Sequence, residues 1–240
     1  MHMRMAIGTI LLMLIPLQAQ AQVTEVYDNL MSSWDVAALK GGEWVETETL
    51  LEYPGTTQPV LKLKTSCVKV DADSVWIESR VADQVTCYQV AKKDRRIVKA
   101  WTGNAGEEGR ELKVRPAIDA GPTPAPNQEI TGKGRASREK LKLGGKEFDC
   151  EKVEQEQVMK GSGLEIKTKL TAWYSEGYPF KTFVDPNANP GDGKDPIKWE
   201  GDKPSCKGSI VKMVTESNGG KSTTQVCGIG TDAKPGLKLK

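Results

Sequence analysis

Apolar and polar residues alternate with a period of two along most of the chain beyond residue 42, as in strands with one face in water. "EWVETETLLE" (43–52), "PVLKLKTSCVKV" (59–70), "VWIESR" (75–80), "QVTCYQV" (84–90), "RRIVKAWT" (95–102) and "RELKVR" (110–115) form a first run, 43–115. The short links between them predict an antiparallel meander. "PAIDAGPTPAPNQ" (116–128) holds four prolines and predicts an extended connection, since proline cannot donate to a ladder. A second run covers 135–230. It holds "ASREKLKL", a turn at Gly144-Gly145, "KEFDCEKVEQEQV", "LEIKTKLTAWY" (164–174) and a final hairpin around "NGG" (218–220). Phe148 and Cys150 share a parity that Val153 breaks, so a β-bulge is expected near Glu151-Lys152.

One stretch has helical spacing. Val26, Tyr27, Leu30, Met31, Trp34 and Ala38 fall on one face of a helix over Val23–Ala38, with Thr24 as cap and Gly41-Gly42 as stop. Lysines and glutamates leave too few apolar strand residues for two packed sheets. The pattern therefore predicts a mainly β fold, a strongly curved antiparallel sheet of half-barrel type. The N-terminal amphipathic helix packs in its concave side. Expected contacts in that hollow are Tyr27, Trp34, Leu164, Ile166, Leu170 and Tyr174.

The first 22 residues, "MHMRMAIGTILLMLIPLQAQAQ", have Arg4, an apolar core from Ile7 to Leu17 and an Ala19-Gln20-Ala21 end. That is a signal peptide over 1–21, cut after Ala21, and its apolar run is about half of what a membrane span needs. No cysteine follows the small residues, so no lipid anchor is expected. No integral membrane segment is expected after cleavage. The exported chain, 22–240, reads as a single β-rich domain, periplasmic or extracellular.

Charge is nearly balanced, with 34 Lys+Arg against 32 Asp+Glu, which argues against nucleic acid as a partner. The single histidine, His2, lies in the signal peptide, so triad chemistry is excluded from the exported chain. No complete catalytic motif remains, and no catalytic residue, metal or cofactor is assigned. Five cysteines would travel into an oxidising compartment. Cys206 and Cys227 flank the final hairpin and form one candidate disulfide. Cys67 and Cys87, two strands apart, form another that strains the reach of the bond. Cys150, with no base nearby, reads as a small buried hydrophobe.

"DPNANPGDGKD" (185–195) begins like a calcium loop with Asp185, Asn187 and Asn189. Pro190 replaces the turn glycine and Pro196 the closing glutamate, so a polar loop is expected. "GKGR" (132–135) and "GNAGEEG" (103–109) lack the phosphate-loop pattern and read as turns.

"KLKLGGKEFDCEKVE" (140–154), "KTKLTAWYSEGYPF" (167–180), "GSIVKMVTE" (208–216) and "CGIGTD" (227–232) together resemble uncharacterised secreted bacterial proteins of planctomycete type. More loosely, the chain is similar to the half-barrel of the LolA/LolB lipoprotein carriers. That resemblance implies a concave sheet with a helical plug and an acyl-chain groove. Three readings follow. The first is a non-enzymatic binding or scaffolding module of the envelope with an unknown protein partner. The second is a carrier of an acyl chain or other apolar ligand. The third is a carboxylate-based hydrolase.

Overall fold

The computed structural model describes residues 24–58, 60–117, 129–161, 164–181 and 197–239. The expected signal peptide (1–21), residues 118–128 of the proline-rich connection and the 185–195 loop lie outside them.

Among the described residues, alternation along the chain becomes fourteen strands of one large, open, curled sheet. The first run gives β1 (Glu25–Tyr27), β2 (Trp44–Tyr53), β3 (Thr56–Thr57), β4 (Leu61–Val70), β5 (Ser74–Val81), β6 (Gln84–Ala91), β7 (Ile97–Asn104) and β8 (Arg110–Arg115). The second gives β9 (Glu129–Leu143), β10 (Lys146–Gly161), β11 (Leu164–Ser175), β12 (Ile197–Glu200), β13 (Ser209–Ser217) and β14 (Gly220–Gly230). Spatial order is β1-β8-β7-β6-β5-β4-β2-β14-β13-β11-β10-β9-β12, with β3 beside β2. Neighbouring strands within each run pair antiparallel, except for β1 on β8 and β12 on β9, which add in parallel at the two edges. The two meet where β14 pairs antiparallel with β2.

The expected helix over Val23–Ala38 is absent from the described part of that stretch. Glu25–Tyr27 adds as a parallel strand to β8, with Glu25 ion-paired to Arg115. Turns follow, then a single 3-10 turn at Val36–Ala38. Asp28 accepts the Ala117 N–H at 2.8 Å and the Arg96 guanidinium at 2.6 Å, and the Asp35 N–H reaches the Lys181 carbonyl at 2.9 Å. Short polar side chains at Asp28, Asn29, Ser32, Ser33 and Asp35 favour turns over helix. The edge of β8 offers backbone partners that a free helix would lack. Only part of the predicted apolar stripe is buried: Met31 is 4 % exposed, whereas Tyr27 and Leu30 are about half in solvent.

Register carries a face from strand to strand. Val45 faces Thr65, on the side of Cys67, and the line continues through Ile77, Tyr88, Ala100 and Leu112. Toward the other edge, Thr49, on Val45's side, faces Thr224, and the line continues through Met213, Ala172 and Val153. Met213, Ala172 and Val153 belong to a smaller cluster with Leu170 and Tyr174. Phe148, Cys150 and Trp173, on the opposite face of β10 and β11, join Val45 and Ile77 in the main core. The main core thus changes sides of the sheet midway. Two bulges, with Val211 and Cys227 as the extra residues, lie at the crossing, where extra twist is needed.

This arrangement corrects the bulge expected at Glu151-Lys152. Those residues pair in regular register with Arg138 and Ser137 and with Tyr174 and Trp173. The parity break is real because both faces of β10 are covered: Phe148 and Cys150 on one side, Val153 and Gln155 on the other. A third cluster, Val85 and Cys87 under Leu237, covers the other face of β5–β7. Fully burying a side chain such as Phe148, Ile77 or Val153 contributes about 1.5–3 kcal/mol.

Candidate functional site

The residues expected to line one hollow are separated. Trp34 packs edge-on against Phe180 with ring centroids 5.5 Å apart, at the margin of the main core. Tyr27 is 53 % exposed. Leu170 and Tyr174 sit in the smaller cluster, on the face of β11 opposite Trp173. Ile166 is half-buried opposite Met159 in that same parity, and Leu164 pairs with Gly161 at the strand's start. Alternation in β11 predicts a single hollow under one face, but β11 is buried on both faces, with Trp173 on one and Leu170, Ala172 and Tyr174 on the other.

All five cysteines are free thiols, so neither candidate disulfide is present. Cys67 and Cys87 point to opposite faces: Cys67 is opposite Ile77, and Cys87 is opposite Glu78, the next residue. Cys206 packs beside Tyr174, while Cys227 bulges out of β14 toward the Glu46 carbonyl at 3.5 Å. Burial, then the Glu43 charge, pushes the Cys67 thiol up to about 11. Burial, then Glu139, lifts Cys150 to about 11. Such thiols stay protonated at neutral pH and are poor nucleophiles.

The face of β10 and β11 that carries Trp173 changes character along its length. At one end it is apolar core. The indole N–H of Trp173 donates to Glu139, and the Lys152 and Lys212 ammonium groups lie 5.7 and 5.2 Å from the ring centroid. Farther along, the same parity presents Glu154, Glu156, Lys169 and Lys167. Two adjoining troughs of about 540 and about 260 Å³ share Glu156 and Lys169 in their walls. Their charges interleave. Lys133 reaches Glu156 at 3.1 Å, and Arg135 reaches Glu154 at 2.7 Å. The Arg135 hydrogen bond holds the Glu154 carboxyl below its ordinary range. This surface suits a polar, zwitterionic contact.

The "CGIGTD" segment serves one tryptophan. Trp44 lies flat across β14, so a Cβ on Gly230 would meet its Nε1 at 2.5 Å and one on Gly228 its Cζ3 at 3.0 Å. The Trp44 N–H donates to Asp232 at 2.8 Å, and the Lys64 ammonium sits 4.0 Å from the ring centroid. Sequence reasoning missed this seat, although glycines two apart in a strand signal a close approach on one face. Gly132 and Gly134, read as turn residues, do the same inside β9, where Ile197 and Trp199 occupy the space of their missing side chains.

No family model and no curated protein matches the chain. Among solved structures it is similar to a LolA superfamily protein from Nitrosomonas europaea, at 8 % identity over 81 % of this chain and 88 % of that one, with a TM-score of 0.26. A DUF1329 family protein from Desulfovibrio piger matches at 10 % identity over 84 % and 90 %, with a TM-score of 0.29. A Vibrio parahaemolyticus domain described as outer membrane lipoprotein-sorting matches at 9 % identity over 84 % and 90 %, with a TM-score of 0.29. At such identities and scores the likeness says nothing about ligands.

Proposed function

We propose that the chain is an exported, non-enzymatic binding or scaffolding module of the bacterial envelope, released by cleavage after Ala21, with a polar strand face as its contact surface. The observation that carries this reading is the filling of the space an acyl chain would need. Met31, Val36 and Leu39 are at most 4 % exposed and belong to the main core with Phe180, against which Trp34 packs. The two troughs carry Glu154, Glu156, Lys167, Lys169, Glu216 and Lys221 among their lining residues, and an acyl chain seated against those groups would desolvate ions at high cost. Carboxylates such as Glu154, Glu165 and Asp28 are held below their ordinary range by hydrogen bonds and paired cations. That supports structural ion pairing over general acid catalysis.

A fluorescent fatty acid titrated into the exported protein tests the reading. The expected result is no saturable binding, and Trp34→Ala loses on the order of 3 kcal/mol of stability without gaining the probe. Stoichiometric probe binding by the native chain, or a stable Trp34→Ala protein that acquires it, would establish the carrier instead.

A further inference from the structure

The turn Asn218-Gly219 joins β13 to β14 and forms part of the wall of the larger trough. We propose that this pair is a self-modification site: the Gly219 nitrogen closes a ring onto the Asn218 side chain, ammonia leaves, and water opens the ring to aspartate or isoaspartate. The reaction needs only water and a solvent base. Its effect on contact rests on the polar strand face being the contact surface, whereas the conversion itself does not.

Sequence restricts the reaction to one place. Of the six asparagines in the chain, only Asn218 precedes a glycine. The attacking nitrogen belongs to the following residue, where any side chain hinders closure and glycine has none. Positive φ at Asn218 and Gly219, +50° and +78°, is what a two-residue hairpin turn requires, so the turn itself selects the reactive pair. Both residues are exposed, and a Cβ on Gly219 would meet only Pro54 Cγ, at 3.8 Å. Among the described residues neither the Asn218 side-chain amide nor the Gly219 N–H has a hydrogen-bond partner, so no bond must break before they meet. Asn104 differs on both counts: its amide donates to Glu107 at 3.0 Å, and alanine follows it. Asn29 is followed by Leu30.

The step balances. The Gly219 nitrogen gives its proton to a solvent base and bonds to Asn218 Cγ. The Cγ–Nδ2 bond breaks, and the nitrogen takes up a proton and leaves as ammonia. Water then adds to one of the two ring carbonyls. Addition at Cγ restores the ordinary backbone with a new carboxylate. Addition at the main-chain carbonyl leaves the backbone running through Cγ, one methylene longer. Either product changes the trough. Its lining holds three lysines, Lys167, Lys169 and Lys221, against two glutamates, Glu156 and Glu216, and a third carboxylate brings the formal charge to zero. Isoaspartate also lengthens a two-residue loop, and loop length sets hairpin register. The strand that follows, β14, is the one that joins the two runs.

The test is peptide mapping of the full chain, fresh and after incubation while folded in mildly alkaline buffer. The tryptic peptide Met213–Lys221 carries the site. It should yield two products of equal mass and separate retention, at least about tenfold faster than conversion at Asn29 or Asn104, which side chains follow. A synthetic peptide of the same sequence is the reference for a freely moving turn. Conversion in the folded chain within about tenfold of that reference agrees with a turn that opens locally. Slower conversion overturns the proposal. So does a rate no greater than that of Asn104, or aspartate as the sole product, which is direct hydrolysis without a ring. Gly219→Ala should slow conversion at least about tenfold; an unchanged rate overturns the proposal, and should that protein fail to fold, the same substitution in the synthetic peptide makes the comparison. The aged aspartate form should co-elute with Asn218→Asp protein on ion exchange, and an aged chain of unchanged charge overturns the proposal. Fatty-acid titration, which tests the binding module, has no bearing on this map, so the two readings fail separately.

Discussion

Gly230→Ala isolates the seat of Trp44. The new Cβ would stand 2.5 Å from Nε1, 2.7 Å from Cε2 and 2.9 Å from Cζ2 of the indole. Ordinary contact begins near 3.4 Å, so the ring must shift by most of an ångström. It has little freedom to do so, with Gly228 backbone under it, Lys64 over it and Asp232 holding its N–H. Gly230 is not among the glycines with positive φ, so alanine brings no backbone strain and the cost is steric. Overpacking of this kind costs about 1–3 kcal/mol, and the displaced ring gives up a surface cation–π contact of about 0.5–1 kcal/mol. The expected loss is about 2–3 kcal/mol in urea unfolding with an unchanged m-value. In a Trp44→Ala background the clash is gone, and alanine should be neutral or stabilise by up to about 1 kcal/mol through the unfolded state. The Asp232 carboxyl, held low chiefly by the Trp44 hydrogen bond, should move back toward its ordinary range in Gly230→Ala. An equal loss in both backgrounds would refute the reasoning, because the cycle would then contain no coupling between the two sites.

The cysteines should sort by exposure under a thiol reagent: Cys67 and Cys87, both 0 % exposed, should react only on unfolding. Cys206 and Cys227, lifted to about 11 chiefly by burial, should react slowly at neutral pH and faster as pH rises; a native burst from Cys67 or Cys87 would contradict this. Glu78 is pushed above its ordinary value of 4.5, chiefly by burial. Its contribution to stability is therefore fully present below that value and is lost as pH rises through the raised one. The urea midpoint of the native chain, relative to Glu78→Gln, should fall between acid and neutral pH; a relative rise would reverse the assignment.

The strands were legible because alternation survives wherever one face is wet, and the turns because their chemistry is local. Gly144 and Gly145 take φ of +54° and +81°, and Asn218 and Gly219 take +50° and +78°, as the hairpin readings require. What failed was every inference that needed to know what covers a face. The bulge at Glu151-Lys152, the Cys67–Cys87 pair and the shared hollow of Leu170 and Trp34 all assumed one buried side per strand. Sequence parity separates two sides of a strand but does not say which is buried, and here the main core changes sides while separate segments cover the remainder. The helix failed for a related reason. Apolar spacing at Met31 and Trp34 is met equally by turns when an edge strand stands ready to take the backbone, and the asparagine, serines and aspartates around them tip the balance.

The pairing of β14 with β2 carries a burden of timing. Thr49 and Thr224, bonded hydroxyl to hydroxyl at 2.9 Å, are 175 positions apart. Contacts this distant along the chain close late and slow folding. The first meander can assemble as soon as it emerges from the ribosome or a translocation pore, but β2 then waits with an open edge from Trp44 to Tyr53. Exposed edges recruit other chains. A chain of this layout needs its last hairpin before it is safe from its own neighbours, so premature termination ahead of Gly220 should yield aggregates rather than a smaller soluble sheet. Its quality in the cell would rest on how fast the chain is completed, and holding chaperones would have their greatest effect on the half that is made first.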